Sequence, residues 1–329
     1  MFISSDTTLE KRVVRELQEG IPIEKEPFRL LAERLGCEEE RLLSTISHLK
    51  ETGLIRNISP IYDTRMLGYD SALVAFRVVP ERLEDVAASV SLHHGVSHNY
   101  EREHHFNLWF TLAVPSRNEG LLEKEVERLS EKDGVEDYVV LRTKRMFKIG
   151  VRLDPTQDAR AKERVERRRH PFVPLTEEEK EFVRITQMDM DICSRPYLVY
   201  AERLGMEEGA LIEKLCEFRE RGVLRRIAAI FRHRKVGFVA NGMSVWRVPP
   251  ERVEEVGSFI ASFKGVSHCY ERSINGKAWK YNIFAMIHGK KVEDVKGVVE
   301  EIKKETGIDD CQILYTRREF KKERIKYFI

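Results

Sequence analysis

The five cysteines, Cys37, Cys193, Cys216, Cys269 and Cys311, form no CxxC pair and belong to no His/Cys tract. The usual spacings of zinc sites, thioredoxin-like redox sites and iron–sulfur clusters are thus missing, and the cysteines read as small core residues. No stretch approaches the roughly 18 to 20 continuous apolar residues of a spanning helix, and MFISSDTTLEKRVVREL lacks the apolar centre of a secretory signal. These absences predict a cytoplasmic protein with no membrane partner. Also missing is a global field for nucleic acid: 57 Lys+Arg against 55 Asp+Glu leave a formal charge of +2, so only a local basic patch could serve. What remains, 42% hydrophobic residues over 329 positions, suffices for two or more domains with their own cores.

The chain repeats itself. AERLG at Ala32–Gly36 recurs at Ala201–Gly205, an offset of 169 that also relates Gly53 to Gly222 and Gly68 to Gly237. PERLEDV from Pro80 matches PERVEEV from Pro250, and GVSHNYER from Gly95 matches GVSHCYER from Gly265, now at an offset of 170. After Arg102 and Arg272 the copies part, the second carrying five extra residues before Asn282, the counterpart of Asn107.

Each copy opens with three short stretches of apolar residues at three- and four-residue spacing, those of the first copy all ending in glycines suited to helix C-caps, as in a helix-turn-helix. LIRNISPIYD then reads as a wing strand. From Tyr69 the period changes to strand, helix, strand, strand, helix, strand, the βαββαβ order of a ferredoxin-like domain whose second sheet face needs a cover. The predicted class is α+β, a tandem duplication, in which each copy covers the other as an intrachain pseudo-dimer and a homodimer remains open. The expected division is 1–62 and 175–232 for the helix-turn-helix modules and 63–153 and 233–329 for the ferredoxin-like domains. A charged linker, 154–174, containing Arg167, Arg168 and Arg169, separates the halves.

Chemistry concentrates in VSHNYEREHHFNLWF. Alternate strand residues share a face, so His98, Tyr100 and Arg102, with His104 if the strand continues, form one stripe, and His268, Tyr270 and Arg272 form its copy. A core face would carry Val, Ile and Leu; imidazole, phenol and guanidinium together suit a ligand-filled cleft, or else an exposed polar strand. Arginine can hold a carboxylate with two bonds, and histidine can exchange protons near neutrality or contact iron. Phe106, Trp109, Trp279 and Tyr281 can supply flat apolar walls, so a large planar anion fits. The departures fall in the loop: the second copy lacks a counterpart of His104 and offers Lys277, Trp279 and Lys280. His288 reads as a strand-end residue.

Nucleic acid is the competing ligand. Recognition helices place their first residues against bases and phosphates, yet here the third helices open with Glu38, Glu39 and Glu40 and with Glu207 and Glu208. These modules read as packing and dimerisation elements, with Arg225, Arg226, Arg232, Arg234 and Lys235 as the remaining argument for DNA or as holders of substrate carboxylates.

A helix-turn-helix followed by βαββαβ resembles the Lrp/AsnC regulators, which specifies architecture and not activity. SHNYEREHHFNLWFTL and SHCYERSINGKAWKYNIFAMIHG are more specific: they resemble the two subunit types of the sirohaem decarboxylases, here in one chain, and LRTKRMFKIGVRLD is similar to the end of such a subunit. The resemblance implies a carboxy-lyase that removes two acetate carboxyls of sirohaem to give didecarboxysirohaem, in haem d1 or alternative haem biosynthesis, with no separate cofactor beyond the iron tetrapyrrole substrate. Under it His98, His104 and His268 are candidate proton donors and iron contacts. Arg102 and Arg272 anchor carboxylates, Tyr100 and Tyr270 orient them, and Trp109 and Trp279 line the site. A ligand-responsive regulator and a non-catalytic haem-binding protein are the alternatives.

Overall fold

The computed structural model describes residues 7–116, 119–150, 158–163, 170–231, 240–276 and 278–329. Arg167, Arg168, Arg169, Arg232, Arg234, Lys235 and Lys277 lie outside them. The first half runs α1 (Thr7–Glu19), α2 (Pro27–Leu35), α3 (Glu39–Glu51), β1 (Ile55–Tyr62), β2 (Tyr69–Val78), α4 (Leu83–Leu92), β3 (Val96–Arg102), β4 (Leu108–Pro115), α5 (Leu121–Ser130) and β5 (Val135–Ile149). The second repeats the order: α6 (Glu177–Thr186), α7 (Pro196–Leu204), α8 (Glu208–Glu220), β6 (Leu224–Phe231), β7 (Ala240–Trp246), α9 (Val253–Ser262), β8 (Val266–Arg272), β9 (Ile283–Gly289), α10 (Val292–Thr306) and β10 (Cys311–Lys322). Helices α2 and α7 start at a proline, whose missing N–H is harmless in a first turn, and stop at Gly36 and Gly205, left-handed at φ 63° and 64°. Among the described residues no helix is long and apolar enough to cross a membrane.

The eight strands of the two ferredoxin-like units close into one barrel, in the order β10-β3-β4-β2-β5-β8-β9-β7. Two seams do this. The far end of β5 pairs with β8, and the far end of β10 pairs with β3, so each unit completes the sheet of the other and leaves no open edge. Inside, Leu73, Trp109, Val139 and Leu141 of the first unit meet Met243, Val245, Trp279 and Phe284 of the second. The outer faces bury Phe76 and Phe110 against α4 and α5, and Trp246 and Ala285 against α9 and α10. The cover expected for each sheet is therefore the other copy.

The strand expected as a wing behaves differently. β1 pairs antiparallel with β6, its own counterpart, with Ser59 opposite Ala228, instead of folding back inside one module. One apolar row of this ribbon, Ile55, Ile58, Ile227 and Phe231, joins Phe28, Leu31, Ile46, Tyr197, Leu215 and Phe218 in one core shared by both helical modules. Each module supplies only one strand, so its backbone groups find partners in the duplicate.

A buried carboxylate fixes the second module. Thr176 and Glu179 form a capping box at the start of α6, and Glu179 also accepts from Lys214 Nζ at 2.8 Å and from Arg221 at 2.5 Å. Burial pushes this carboxyl upward, but the bonds from Arg221, Lys214 and the Thr176 N–H outweigh it and hold the pKa at about 2. A depressed pKa contributes stability that is whole above the ordinary value of 4.5 and drains as pH falls toward 2. Glu179→Gln is expected to cost about 1.5 to 3 kcal/mol at pH 7, and urea midpoints should converge with those of the unaltered chain on acidification. A constant gap down to pH 2 would contradict this account.

Candidate functional site

The barrel interior decides where the two stripes point. Tyr100 pairs with Trp109 across the β3–β4 ladder, whereas Asn99 pairs with Phe110 and donates to Ala87 O of α4. His98, Tyr100 and Arg102 therefore project inward from β3. Tyr270 opposite Phe284, and Cys269 opposite Ala285, place His268, Tyr270 and Arg272 inward from β8. A register shift between Val96 and His98, repeated between Val266 and His268, bulges each strand at its histidine. Such a bulge re-aims a side chain, and in both copies it brings the preceding serine hydroxyl to the ring Nδ1 at 2.8 Å.

Each stripe is a stack. His98 and Tyr100 rings lie 6.0 Å apart and the Arg102 guanidinium sits 5.4 Å from the Tyr100 ring; the second copy gives 6.2 Å and 4.9 Å. Arg102, only 5% exposed, donates to Leu314 O at 3.0 Å and Thr316 Oγ1 at 3.2 Å on β10. Arg272 donates likewise to Leu141 O at 3.1 Å and Thr143 Oγ1 at 3.0 Å on β5. Among the described residues neither guanidinium has a carboxylate partner, and the Nε of each lacks a hydrogen bond. Burial pushes both down to about 10. Burial likewise raises the Tyr100 and Tyr270 hydroxyls, with Glu319 adding to the effect at Tyr100. Buried charge held by neutral acceptors alone is costly and suits an anion that arrives from outside.

His104 does not extend the stripe. β3 ends at Arg102, and His104 lies in the following bend, where its Nδ1 accepts from the Phe106 N–H at 3.0 Å and its ring meets that of Trp279 at 5.5 Å. Burial and the neighbouring His105 push its pKa down to about 4, so it is a neutral imidazole at pH 7 with the proton on Nε2. With Arg102 it lines a cleft of about 560 Å³, completed by Pro80, Glu103, Arg317 and Arg318. Trp109 and Trp279 pack edge to face at 5.1 Å in the barrel core, 1% and 2% exposed, their indole N–H groups given to Phe106 O and Tyr281 O. They back the stripes and offer no open ring face. His288 is buried in β9, sharing hydrogen bonds with Ser267 and Asn241 at 2.7 Å each, and so fixes the serine that holds His268. In the first copy Thr111 fixes Ser97, at 2.6 Å.

Residues from distant elements complete both faces. β10 sets Glu319 opposite Tyr100 and Lys322 opposite His98, while β5 sets Met146 opposite Tyr270 and Ile149 opposite His268. The ribbon contributes Arg56, close enough to act on Tyr100, and Arg225, which bonds Asp63 at 2.7 Å and reaches Met146 Sδ at 3.9 Å. An alignment of LRTKRMFK with LYTRREFK would reveal the paired strand ends, but not which stripe each one meets.

The family described as AsnC-like ligand binding domain matches residues 66–148 and 235–321, and the Siroheme decarboxylase NirDL-like HTH domain matches residues 10–56 and 179–225. A siroheme decarboxylase of Hydrogenobacter thermophilus is 53% identical over 317 residues, 96% of this chain and 94% of its own. The siroheme decarboxylase beta subunit of Methanosarcina barkeri is 38% identical over 144 residues, 44% of this chain but 94% of its own, as one half of a duplication would be. The crystal structure of the siroheme decarboxylase NirDL in co-complex with an iron-uroporphyrin III analogue aligns with a TM-score of 0.75 at 47% identity, over 98% of this chain and 95% of that one. Both halves of the chain thus belong to the AsnC-like fold, and the chain as a whole belongs to the sirohaem decarboxylase family.

Proposed function

We propose that the chain is a carboxy-lyase acting on sirohaem, releasing the carboxyl groups of two acetate side chains as CO2 to give didecarboxysirohaem for haem d1 or alternative haem biosynthesis. The observation that carries this reading is the pair of buried guanidiniums, Arg102 and Arg272, each beside a tyrosine and an imidazole and without a carboxylate among the described residues. Family membership and the iron-uroporphyrin complex of the solved relative support it.

The chemistry needs little from the protein. The bond between carboxyl and methylene breaks, its electron pair stays on the methylene conjugated to the macrocycle, and one proton turns the methylene into methyl. No oxidant enters. The chain must anchor other carboxylates, strip water from the reacting one and hold a proton near the methylene. Arg102 or Arg272 anchors, Tyr100 or Tyr270 orients, and His98 or His268, each fixed by its serine, supplies the proton or contacts the substrate iron. His104, neutral at pH 7, serves better as an Nε2–H donor to a carboxylate than as an acid. The acidic first turns of α3 and α8 weigh against phosphate contacts.

Anaerobic incubation with sirohaem, followed by mass measurement of the pigment, should show a loss equal to two CO2. Unaltered pigment recovered from a tight complex would favour a haem-holding protein. A salt-sensitive DNA complex that survives competitor, without product, would favour a regulator.

A further inference from the structure

Behind one imidazole of the stripes runs a chain of hydrogen bonds that crosses three strands. His268 Nδ1 lies 2.8 Å from Ser267 Oγ, the same oxygen lies 2.7 Å from His288 Nε2, and His288 Nδ1 lies 2.7 Å from Asn241 Oδ1. Each link follows from local structure. The bulge in β8 between Val266 and His268 turns the serine hydroxyl toward its neighbour's ring. His288 stands on the inward row of β9 with Phe284 and Met286, and Asn241, its partner across the β7–β9 ladder, stands on the inward row of β7 with Met243 and Val245. Ser267 and His288 are 4% and 5% exposed, so protein atoms and not solvent must satisfy them.

The last member gives the chain a direction. A carboxamide oxygen only accepts, so the His288 proton sits on Nδ1 and is given to Asn241 Oδ1. The neutral ring's Nε2 is then an acceptor, and the Ser267 hydroxyl donates to it. That hydroxyl has one hydrogen. Met286 O, at 3.5 Å, is too distant to compete for it. With its hydrogen committed, Ser267 Oγ can only accept from His268, whose Nδ1 must carry a proton. The ring's other nitrogen, Nε2, is the one that exchanges protons or meets iron. A second proton on His288 would reverse the serine, but it would also place a charge at a site 5% exposed.

Resting on the decarboxylase reading, we propose that Asn241 and His288 are positioning residues for the reaction: through Ser267 they hold a proton on His268 Nδ1 and make Nε2 the nitrogen offered to the tetrapyrrole. Both act through another ring. Fixing one nitrogen as a donor orients the imidazole and makes the other more basic, as the outer partners of metal-bound histidines do. Hydroxyl, neutral imidazole and carboxamide carry no net charge, so the chain directs the ring without competing for substrate carboxylates.

The test reads the tautomer directly, by nitrogen NMR of the full chain labelled in its ten histidines, free of pigment and at about pH 8, where an ordinary imidazole is neutral. The signal lost in His268→Ala identifies the ring. In the unaltered chain, a measurement that needs no variant to fold, His268 should show its proton on Nδ1. Asn241→Leu removes the acceptor and should move His268 toward the Nε2–H form, whereas Asn241→Asp, whose carboxylate only accepts, should restore the Nδ1–H form. Turnover of sirohaem should follow, with kcat about tenfold lower in Asn241→Leu, KM within about twofold, and most of the loss recovered in Asn241→Asp. A proton on His268 Nε2 in the unaltered chain would overturn the proposal. So would a tautomer that Asn241→Leu leaves in place, or an altered tautomer with no effect on kcat. Because the spectra need no sirohaem, the expected tautomer in a chain that releases no CO2 would overturn the decarboxylase reading instead.

Discussion

His98→Ala is expected to lower CO2 release from sirohaem by about a hundredfold or more, the usual contribution of a positioned proton donor. The ring is half-buried at a bulge, tied through Nδ1 to Ser97, which Thr111 holds in turn. That support exists before substrate arrives, so its loss should fall on the chemical step. Because the substitution empties no core space, the melting temperature should barely move. If His98 also contacts the substrate iron, the bound porphyrin's visible spectrum changes in the same variant. His268→Ala is the companion variant: its ring has the same serine contact at 2.8 Å in the second copy. A collapse in one variant, with near-normal turnover in the other, would assign the proton to that histidine's face. Full activity in both would remove these imidazoles from the reaction.

Much of the architecture was legible because the sequence contains it twice, and the change of period at Tyr69 separates helices from strands in both copies. That His98, Tyr100 and Arg102 share one face was legible from alternation, but not that this face turns inward. The limits have physical causes. A lone strand of apolar character predicts a wing, but nothing local says that β1 will choose β6, more than 150 residues away in sequence. Alternation carried His104 onto the stripe because the end of β3 at Arg102 is set by the bend that follows. Trp109 and Trp279 looked like ligand walls because their burial depends on barrel closure, a property of both halves together. Glu319, Lys322, Met146 and Ile149 escaped notice for the same reason: each seam joins a strand of one half to a stripe of the other.

Arg102→Ala and Arg272→Ala should divide stability from binding. Each guanidinium crosses a seam and gives one nitrogen to a carbonyl and a threonine hydroxyl of the opposite half. Removing either takes away two charge-assisted bonds and should lower stability by a similar amount, about 1 to 3 kcal/mol. The loss is softened because a buried charge without an anion disappears with the side chain. Tetrapyrrole affinity should not fall equally. On a face that seats the macrocycle the lost guanidinium leaves a carboxylate without its anchor, so the arginine-to-alanine variant of that face should weaken binding about tenfold to a hundredfold. The variant on a face that does not seat it should bind almost as the unaltered chain does. Lysine in place of the anchoring arginine would then recover part of the affinity as a point charge, but not the two-pronged contact that fixes orientation, so its remaining defect should appear in turnover. Equal affinity losses at both arginines, tracking the loss of stability, would mean that they act only as ties across the barrel.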